Sequence, residues 1–274
     1  MGSSDIPPPH APAWLIPAQV VLLGVGVLCW DITYILMHIR SRATKSSGMP
    51  LGGLAVNISW EIVYAFVAAD TPLEQLGFAT WLALDMLVVH GLVRHAETDW
   101  AGTSGFVGRH AGWLLMGMTA VGCVGHWAFV MSFFAAPVLD GSKAGKFWRG
   151  REGFDTTELS FWSAGFAQGV CSAASLAQIV VRGHSGGTGY LIWAVRFAGS
   201  IFGLQLAPGM LWWYWPEAHQ FWVSPMALFM SGFAILCDIA YPVVLWQVRK
   251  TEVQLPDGRL VAGDSPEARK AKNA

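Results

Sequence analysis

The chain has 274 residues and a formal net charge of −1; 54% of its residues are hydrophobic and 13% charged, against about 25% charged in an ordinary soluble domain. That balance excludes nucleic-acid binding by bulk charge and points to one polytopic membrane domain rather than one or two soluble ones. Cys29, Cys123, Cys171 and Cys237 all fall inside apolar runs with no zinc-site spacing, and read as small core residues.

Seven runs reach the roughly 20 residues that span a bilayer. They lie at about 14–39, 50–68, 73–94, 110–136, 158–181, 189–213 and 220–247. The first has no basic segment before it and is too long for the apolar part of a cleavable signal. There is no internal repeat. Residues 1–247 are therefore predicted to form an all-α bundle of seven transmembrane helices. Residues 248–274 are polar and predict a flexible cytosolic tail. Twelve Lys and Arg residues fall in the 1–2, 3–4 and 5–6 connections and the tail, against four in the 4–5 connection. The cation bias puts the N-terminus in the lumen and the C-terminus in the cytosol. The basic 4–5 loop (Lys143, Lys146, Arg149, Arg151) is the exception.

The second run contains "GLAVNISWEIVYAF", with Glu61 in its middle. An ionisable group in the hydrocarbon layer is costly, and by default marks a functional site. From the expected helix ends, Glu61 lies about 16 Å and Asp238 about 14 Å from the same surface. Asp31 and Asp85 come out at similar depth, and Arg196 slightly nearer the cytosol. Asn57, Glu61 and Tyr64 share one face of helix 2, Asp238 and Tyr241 one face of helix 7, and Asp31, Tyr34 and His38 a stripe on helix 1. The bland alternatives are real. Either Glu61 or Asp238 could simply staple helices together. Asp31 and Asp85 could serve as partners of Arg196, because a buried guanidinium needs a carboxylate. His126 reads as a satisfied core histidine, and Gln168 and Gln178 as interhelical bonds. Of the 15 Trp and 15 Phe, most fit interfacial belts. Trp60 and Trp81 are too deep for that. Aromatic faces stabilise cations without offering a nucleophile, so acids beside deep rings suit chemistry that makes and steers a carbocation.

The segments "NISWEIVYAF" (57–66), "RFAGS" (196–200), "YWPEA" (214–218) and "CDIAYP" (237–242) resemble the integral-membrane terpene cyclases of fungal meroterpenoid and indole-diterpene pathways, the Pyr4-like or paxilline-B-like family. The resemblance covers about residues 20–250 in motif order. It implies cyclisation begun by protonating a terminal epoxide or alkene, with Glu61 and Asp238 as the catalytic acids. The expected pocket is Asn57, Trp60, Tyr64, Trp81, Asp85 and Tyr241, with Asp31 and Arg196 orienting or structural. It further implies a prenylated, epoxidised substrate on an aromatic or indole head, residence in the endoplasmic reticulum, and a pathway epoxidase or prenyltransferase in the same membrane. The 4–5 connection is longer than the family pattern, and Asp31 is acidic where that pattern is not. No DDxxD or DxDD string occurs, so neither magnesium-dependent diphosphate ionisation nor a soluble acid-initiated cyclase is expected, and no metal or cofactor is called for. The rival reading is a transporter or proton-translocating protein that uses the same carboxylates as a relay. A rhodopsin-like pump is disfavoured because helix 7 has no lysine. In either reading a carboxyl group in a dry pocket can keep its proton at neutral pH and act as an acid.

Overall fold

The computed structural model describes residues 1–273. Among the described residues, seven helices are long and apolar enough to cross a membrane: α1 (Leu15–Thr44), α2 (Leu51–Ala68), α3 (Pro72–Asp99), α4 (Gly105–Phe133), α5 (Thr156–Arg182), α6 (Tyr190–Tyr214) and α7 (Pro225–Thr251). All seven predicted spans are present. The largest differences are at the ends of α1 and α3 and the starts of α4 and α7. Thr71, Ser104, Asp155 and Ser224 cap α3, α4, α5 and α7 through their side chains, each satisfying backbone N–H groups that have no intrahelical partner. Proline stands at the start of α3 and α7, where its missing N–H costs nothing. The run predicted to begin at 220 thus starts its helix at Pro225, after a short turn at Gln220–Val223.

The second helix is the centre of the bundle. In α2, 67% of the apolar window is buried, against 17–28% in the other six. Its small residues allow this. Gly53 lies against Cys171 of α5, and Ser59 against Gly122 of α4, so backbones approach closely, the usual means of packing helices in lipid. Two helices contain a wider, π-type turn, at Tyr64–Ala68 in α2 and Ile201–Leu206 in α6. In α7, Pro242 has no N–H to give to the carbonyl of Asp238 one turn back. The indole of Trp193 on α6 donates to that carbonyl instead, at 2.7 Å, which ties α6 to α7 beside Asp238.

The two ends of the bundle are closed differently. At one end, residues 2–5 lie across the mouth: the Gly2 N–H donates to Thr156 Oγ1, and Ser4 to Asp70. Asp5 pairs with Lys146 of the 4–5 connection at 2.7 Å. Lys146 is fully buried. It donates to Nε2 of His219 at 2.8 Å, and His219 Nδ1 donates to the Trp215 carbonyl. Lys143 pairs with Asp155 at 2.9 Å and Glu158 at 2.6 Å. Burial raises Asp5 above the usual carboxylate range against the pull of Lys146. Burial would raise Asp155 too, but Lys146 and Lys143 outweigh it and hold that carboxyl down at about 2. Burial, reinforced by Lys146, pushes His219 down to about 3. Two cations of the exceptional basic loop are thus held in internal ion pairs. At the other end, Arg182 pairs with Asp99 at 3.0 Å, and Ser185 donates to Glu252. The stretch read from sequence as a flexible tail contains a two-stranded hairpin (Val253–Gln254 with Leu260–Val261) and a short helix at Pro266–Lys272.

Candidate active site

Between α1, α2, α3, α5 and α6 lies a cavity of about 450 Å³, within the roughly 300–1,000 Å³ of small-molecule sites. Its wall is mostly apolar and aromatic. Trp60, Phe78 and Trp81 form a mutually contacting trio, with ring centroids 5.1–5.7 Å apart, and all three line the cavity. The Trp60 indole is fixed by donating to Ser163 at 3.0 Å. Aromatic rings at a cavity wall can stabilise a cation without offering it a nucleophile.

Glu61, Asp85 and Asp238 stand one layer behind that wall, in two separate networks. In the first, Glu61 is fully buried. Its Oε1 accepts from the Tyr34 hydroxyl at 3.2 Å and from the Asn57 amide at 2.9 Å. The same amide nitrogen reaches Asp85 Oδ2 at 2.8 Å and the Tyr34 oxygen at 2.7 Å. Glu61 Oε2 and Asp85 Oδ1 have no hydrogen-bond partner. Tyr34 and Asn57 line the cavity, while Glu61 and Asp85 do not. Two carboxyl groups tied to one amide therefore communicate with the cavity through a phenol and an amide.

In the second network, Arg196 on α6 pairs with Asp238 Oδ1 on α7. Asp238 Oδ2 accepts from Ser172 at 2.8 Å and from the Gln168 amide at 3.3 Å. Gln168 Oε1 in turn accepts from Ser200 at 2.9 Å. Gln168 and Ser200 line the cavity; Asp238 and Arg196 lie behind them.

These positions revise several expectations. Glu61 and Asp238 do not form one hydrogen-bonded pair, because the buried guanidinium takes Asp238. Arg196 does hold a carboxylate, but it is Asp238 and not Asp31 or Asp85. Asn57, Trp60 and Trp81 are in the wall of this cavity. Tyr64, Asp85 and Tyr241 are not. Tyr64 packs behind Trp60 with its hydroxyl toward the Leu159 carbonyl. Tyr241 bonds Thr188 at 2.8 Å and lies under the Arg196 guanidinium. Asp31 is itself on the wall, and its Oδ1 has no protein partner. An orienting role through Arg196 is therefore not available to it. Gln168, expected to be only an interhelical bond, is both that and part of the wall. Ser172 and Ser200 were not singled out in the sequence. Their one visible signal is helical spacing, since Ser172 stands one turn from Gln168 and Ser200 one turn from Arg196.

A membrane-embedded apolar cavity, walled by aromatic rings and backed by buried acids, is where comparison with known proteins becomes decisive. The description "Pyr4-like transmembrane terpene cyclases" matches residues 3–251. This chain belongs to that family. It is 34% identical over 259 residues to terpene cyclase ascF of Acremonium egyptiacum, covering 94% of this chain and 92% of the relative. It is 32% identical over 243 residues to terpene cyclase dpmpB of Macrophomina phaseolina, covering 88% of each. It is 29% identical over 233 residues to terpene cyclase ltmB of Epichloe festucae var. lolii, covering 85% of this chain and 91% of the relative. No solved structure matches. The protein is thus an integral membrane enzyme that cyclises a terpenoid, and the transporter reading is set aside.

Proposed function

We propose that this cyclase opens a terminal epoxide on a prenylated aromatic substrate by proton transfer from the Glu61–Asp85 pair, relayed through Tyr34. The observation that carries the reading is the continuous hydrogen-bonded path from the buried Glu61 carboxyl through Tyr34 and Asn57 to the cavity wall. Two carboxyls on one amide cannot both ionise cheaply, so the pair retains a proton. Tyr34 gives its hydroxyl proton to the epoxide oxygen and takes one from Glu61. The C–O bond breaks at the more substituted carbon, and the epoxide oxygen becomes a hydroxyl. The neighbouring alkenes attack the resulting cation in turn under the faces of Trp60, Phe78 and Trp81. The last cation loses a proton or is captured by a substrate oxygen, so the product is an isomer of the substrate. No metal takes part in these steps.

The other polar groups have distinct tasks. Asp31, on the wall one turn from Tyr34, accepts a hydrogen bond from the newly formed hydroxyl. Asp238, neutralised by Arg196, holds the Gln168 amide in the opposite wall through Oδ2 and Ser172. It remains essential, as a positioning anion rather than the first proton donor. The bundle sits in the endoplasmic reticulum membrane with residues 252–274 in the cytosol. Burial of Lys143 and Lys146 in ion pairs supports this orientation, since among the described residues it leaves only Arg149 and Arg151 of the four dissenting loop cations outside ion pairs.

The test is to incubate membranes bearing the protein with a farnesylated phenol and, separately, with its terminal epoxide. Only the epoxide should give a new compound of unchanged mass. Equal conversion of the unepoxidised chain would mean direct alkene protonation, and conversion of neither would overturn the substrate assignment.

A further inference from the structure

The cavity borders an open seam between α1 and α3. At one end residues 2–5 and the 4–5 connection cover it, with Ser3 reaching Glu74 at 2.8 Å and both residues in the cavity lining. At depth it stops at Tyr34 and Asn57. Between α1 and α3 it does not close. Val20, Gly24 and Leu28 follow one stripe of α1, and Leu73, Gly77 and Trp81 one stripe of α3, at spacings of four. All six line the cavity. Leu28 is 58% and Leu73 70% exposed. A methyl group built on either Gly24 or Gly77 would meet no atom within 4 Å.

The same two helices are tightly closed further along. A methyl on Gly91 of α3 would fall 2.5 Å from Ser41 Oγ of α1, and His38 Nδ1 lies 3.2 Å from the Leu87 carbonyl. The helices therefore form a V. Its vertex is at the Gly91–Ser41 contact, and its mouth is in the half of the bundle that carries Gly24 and Gly77. Trp81 bridges the floor of the V by a long hydrogen bond from its indole to the Val27 carbonyl, at 3.4 Å. Because both helices span the membrane, the mouth faces acyl chains and not water.

We propose that this slit is a lateral portal through which an isoprenoid chain enters the cavity directly from the bilayer, between Gly24 and Gly77 and past Trp81. The proposal rests on the cyclase reading for the class of ligand. A farnesyl chain is soluble in acyl chains, and its hydrophobic transfer from lipid to an apolar cavity carries little cost, whereas passage through the polar cap of Asp5, Lys146 and Asp155 would strip a buried ion network. Glycine at both jambs leaves the gap as wide as the backbones allow. Asp31 stands one turn inside Leu28, so a chain that enters tip first meets Asp31 and Tyr34 at the end of its path.

The test uses a farnesyl ether carrying a photoreactive diazirine at its tip, incubated with vesicles containing the wild type, Gly24→Ala/Gly77→Ala or Gly24→Trp/Gly77→Trp. Adducts are mapped by mass spectrometry, and turnover of the epoxyfarnesyl phenol is measured on the same samples. Because both glycines face open space, each variant should accumulate and melt as the wild type does. In the wild type and the alanine variant, adducts should form on cavity residues such as Trp60 and Tyr34. In the tryptophan variant, cavity adducts should fall at least tenfold, with labelling of the outer surfaces unchanged. Equal cavity labelling in the tryptophan variant overturns the portal, as does a wild type that labels only on its outer surface. A wild type that labels in the cavity, loses that labelling in the tryptophan variant and yet does not cyclise the epoxide would uphold the portal and refute the substrate assignment.

Discussion

Glu61→Gln isolates the proton from everything else the side chain does. Glutamine has the shape of glutamate and keeps an oxygen where Oε1 accepts from Tyr34 and Asn57. The amide nitrogen replaces Oε2, which has no partner to lose. Fold and membrane accumulation should therefore survive, while the donor is gone. General acid catalysis contributes about 10²–10⁴ in rate, or roughly 3–5.5 kcal/mol of barrier, and turnover should fall by that factor. Tyr34→Phe removes the relay hydroxyl and should cost a comparable amount. Because the two groups act as one unit, the double variant should be little worse than the worse single. The assay is conversion of an epoxyfarnesyl phenol by membranes, normalised to protein by immunoblot and read as an isomer by mass spectrometry. Turnover by Glu61→Gln within fivefold of wild type would refute the relay. So would a double variant whose losses multiply, because independent contributions mean the two groups do not pass the same proton.

Arg196→Met leaves Asp238 as an unpaired buried charge and should cost 3–5 kcal/mol, read as severely reduced accumulation, whereas Arg196→Met/Asp238→Leu should restore accumulation but not activity. Failure of the double variant to recover would show that the pair's contribution is more than charge balance. Asp31→Asn breaks no contact within the protein, so yield should be normal, while turnover falls about 10-fold or more through the lost charge-assisted bond to the new hydroxyl, worth roughly 1.5–3 kcal/mol; unchanged kinetics would remove Asp31 from the site. The ion network at the covered end should be acid-sensitive. His219 is held neutral, down at about 3 against an ordinary 6.5, so the unfolded chain binds the extra proton throughout that window and stability falls as pH falls below 6.5. At about 1.4 kcal/mol per unit, the ceiling between pH 7 and pH 5 is about 2 kcal/mol. Asp155, at about 2, keeps its contribution until far lower pH, and Asp5, raised by burial, works in the opposite direction. Melting of detergent-solubilised protein at pH 5, 6 and 7 should show the drop, and His219→Gln should flatten it; a wild-type curve as flat as the variant's would contradict it.

Hydropathy made the seven spans legible because membrane helices must satisfy their backbone internally and fill a fixed thickness with apolar residues. Depth was legible for the same reason: 1.5 Å per residue turns position into height, and it placed Glu61, Asp85, Asp238 and Arg196 in one layer. What height does not give is rotation about each helix axis and the neighbour each face meets. Asp85 and Asp238 are at similar depth, yet Asp85 turns toward Asn57 and Asp238 toward Arg196, and only the packing of α3 on α2 and of α6 on α7 decides this. The Pro242 gap that draws Trp193 to the Asp238 carbonyl is written in the sequence as a proline four residues after an acid. Its partner is not. The partner of Arg196, which is Asp238, was hidden for a similar reason. Charge balance demanded a carboxylate for Arg196, and several were available at the right height.

The layered placement of the acids answers a chemical difficulty. A carbocation formed beside an ionised carboxylate is at risk of early deprotonation or of collapse to an ester, and either would end the cascade before the rings are built. Yet the proposed reaction starts from an acid. In the proposed mechanism the proton source and the cation are separated by a single layer. Glu61 and Asp85 reach the cavity only through the Tyr34 hydroxyl and the Asn57 amide, and Asp238 only through Gln168, while the wall the chain folds against is indole and phenyl. A hydroxyl passes a proton and then presents a neutral oxygen, and an amide supplies a dipole but no base of consequence. Asp31 and Glu74 are the carboxyl groups that do line the wall; in the proposed mechanism, the place of Asp31 beside Tyr34, at the end where the epoxide would open, puts it next to the new hydroxyl and farthest from the chain that still has to close.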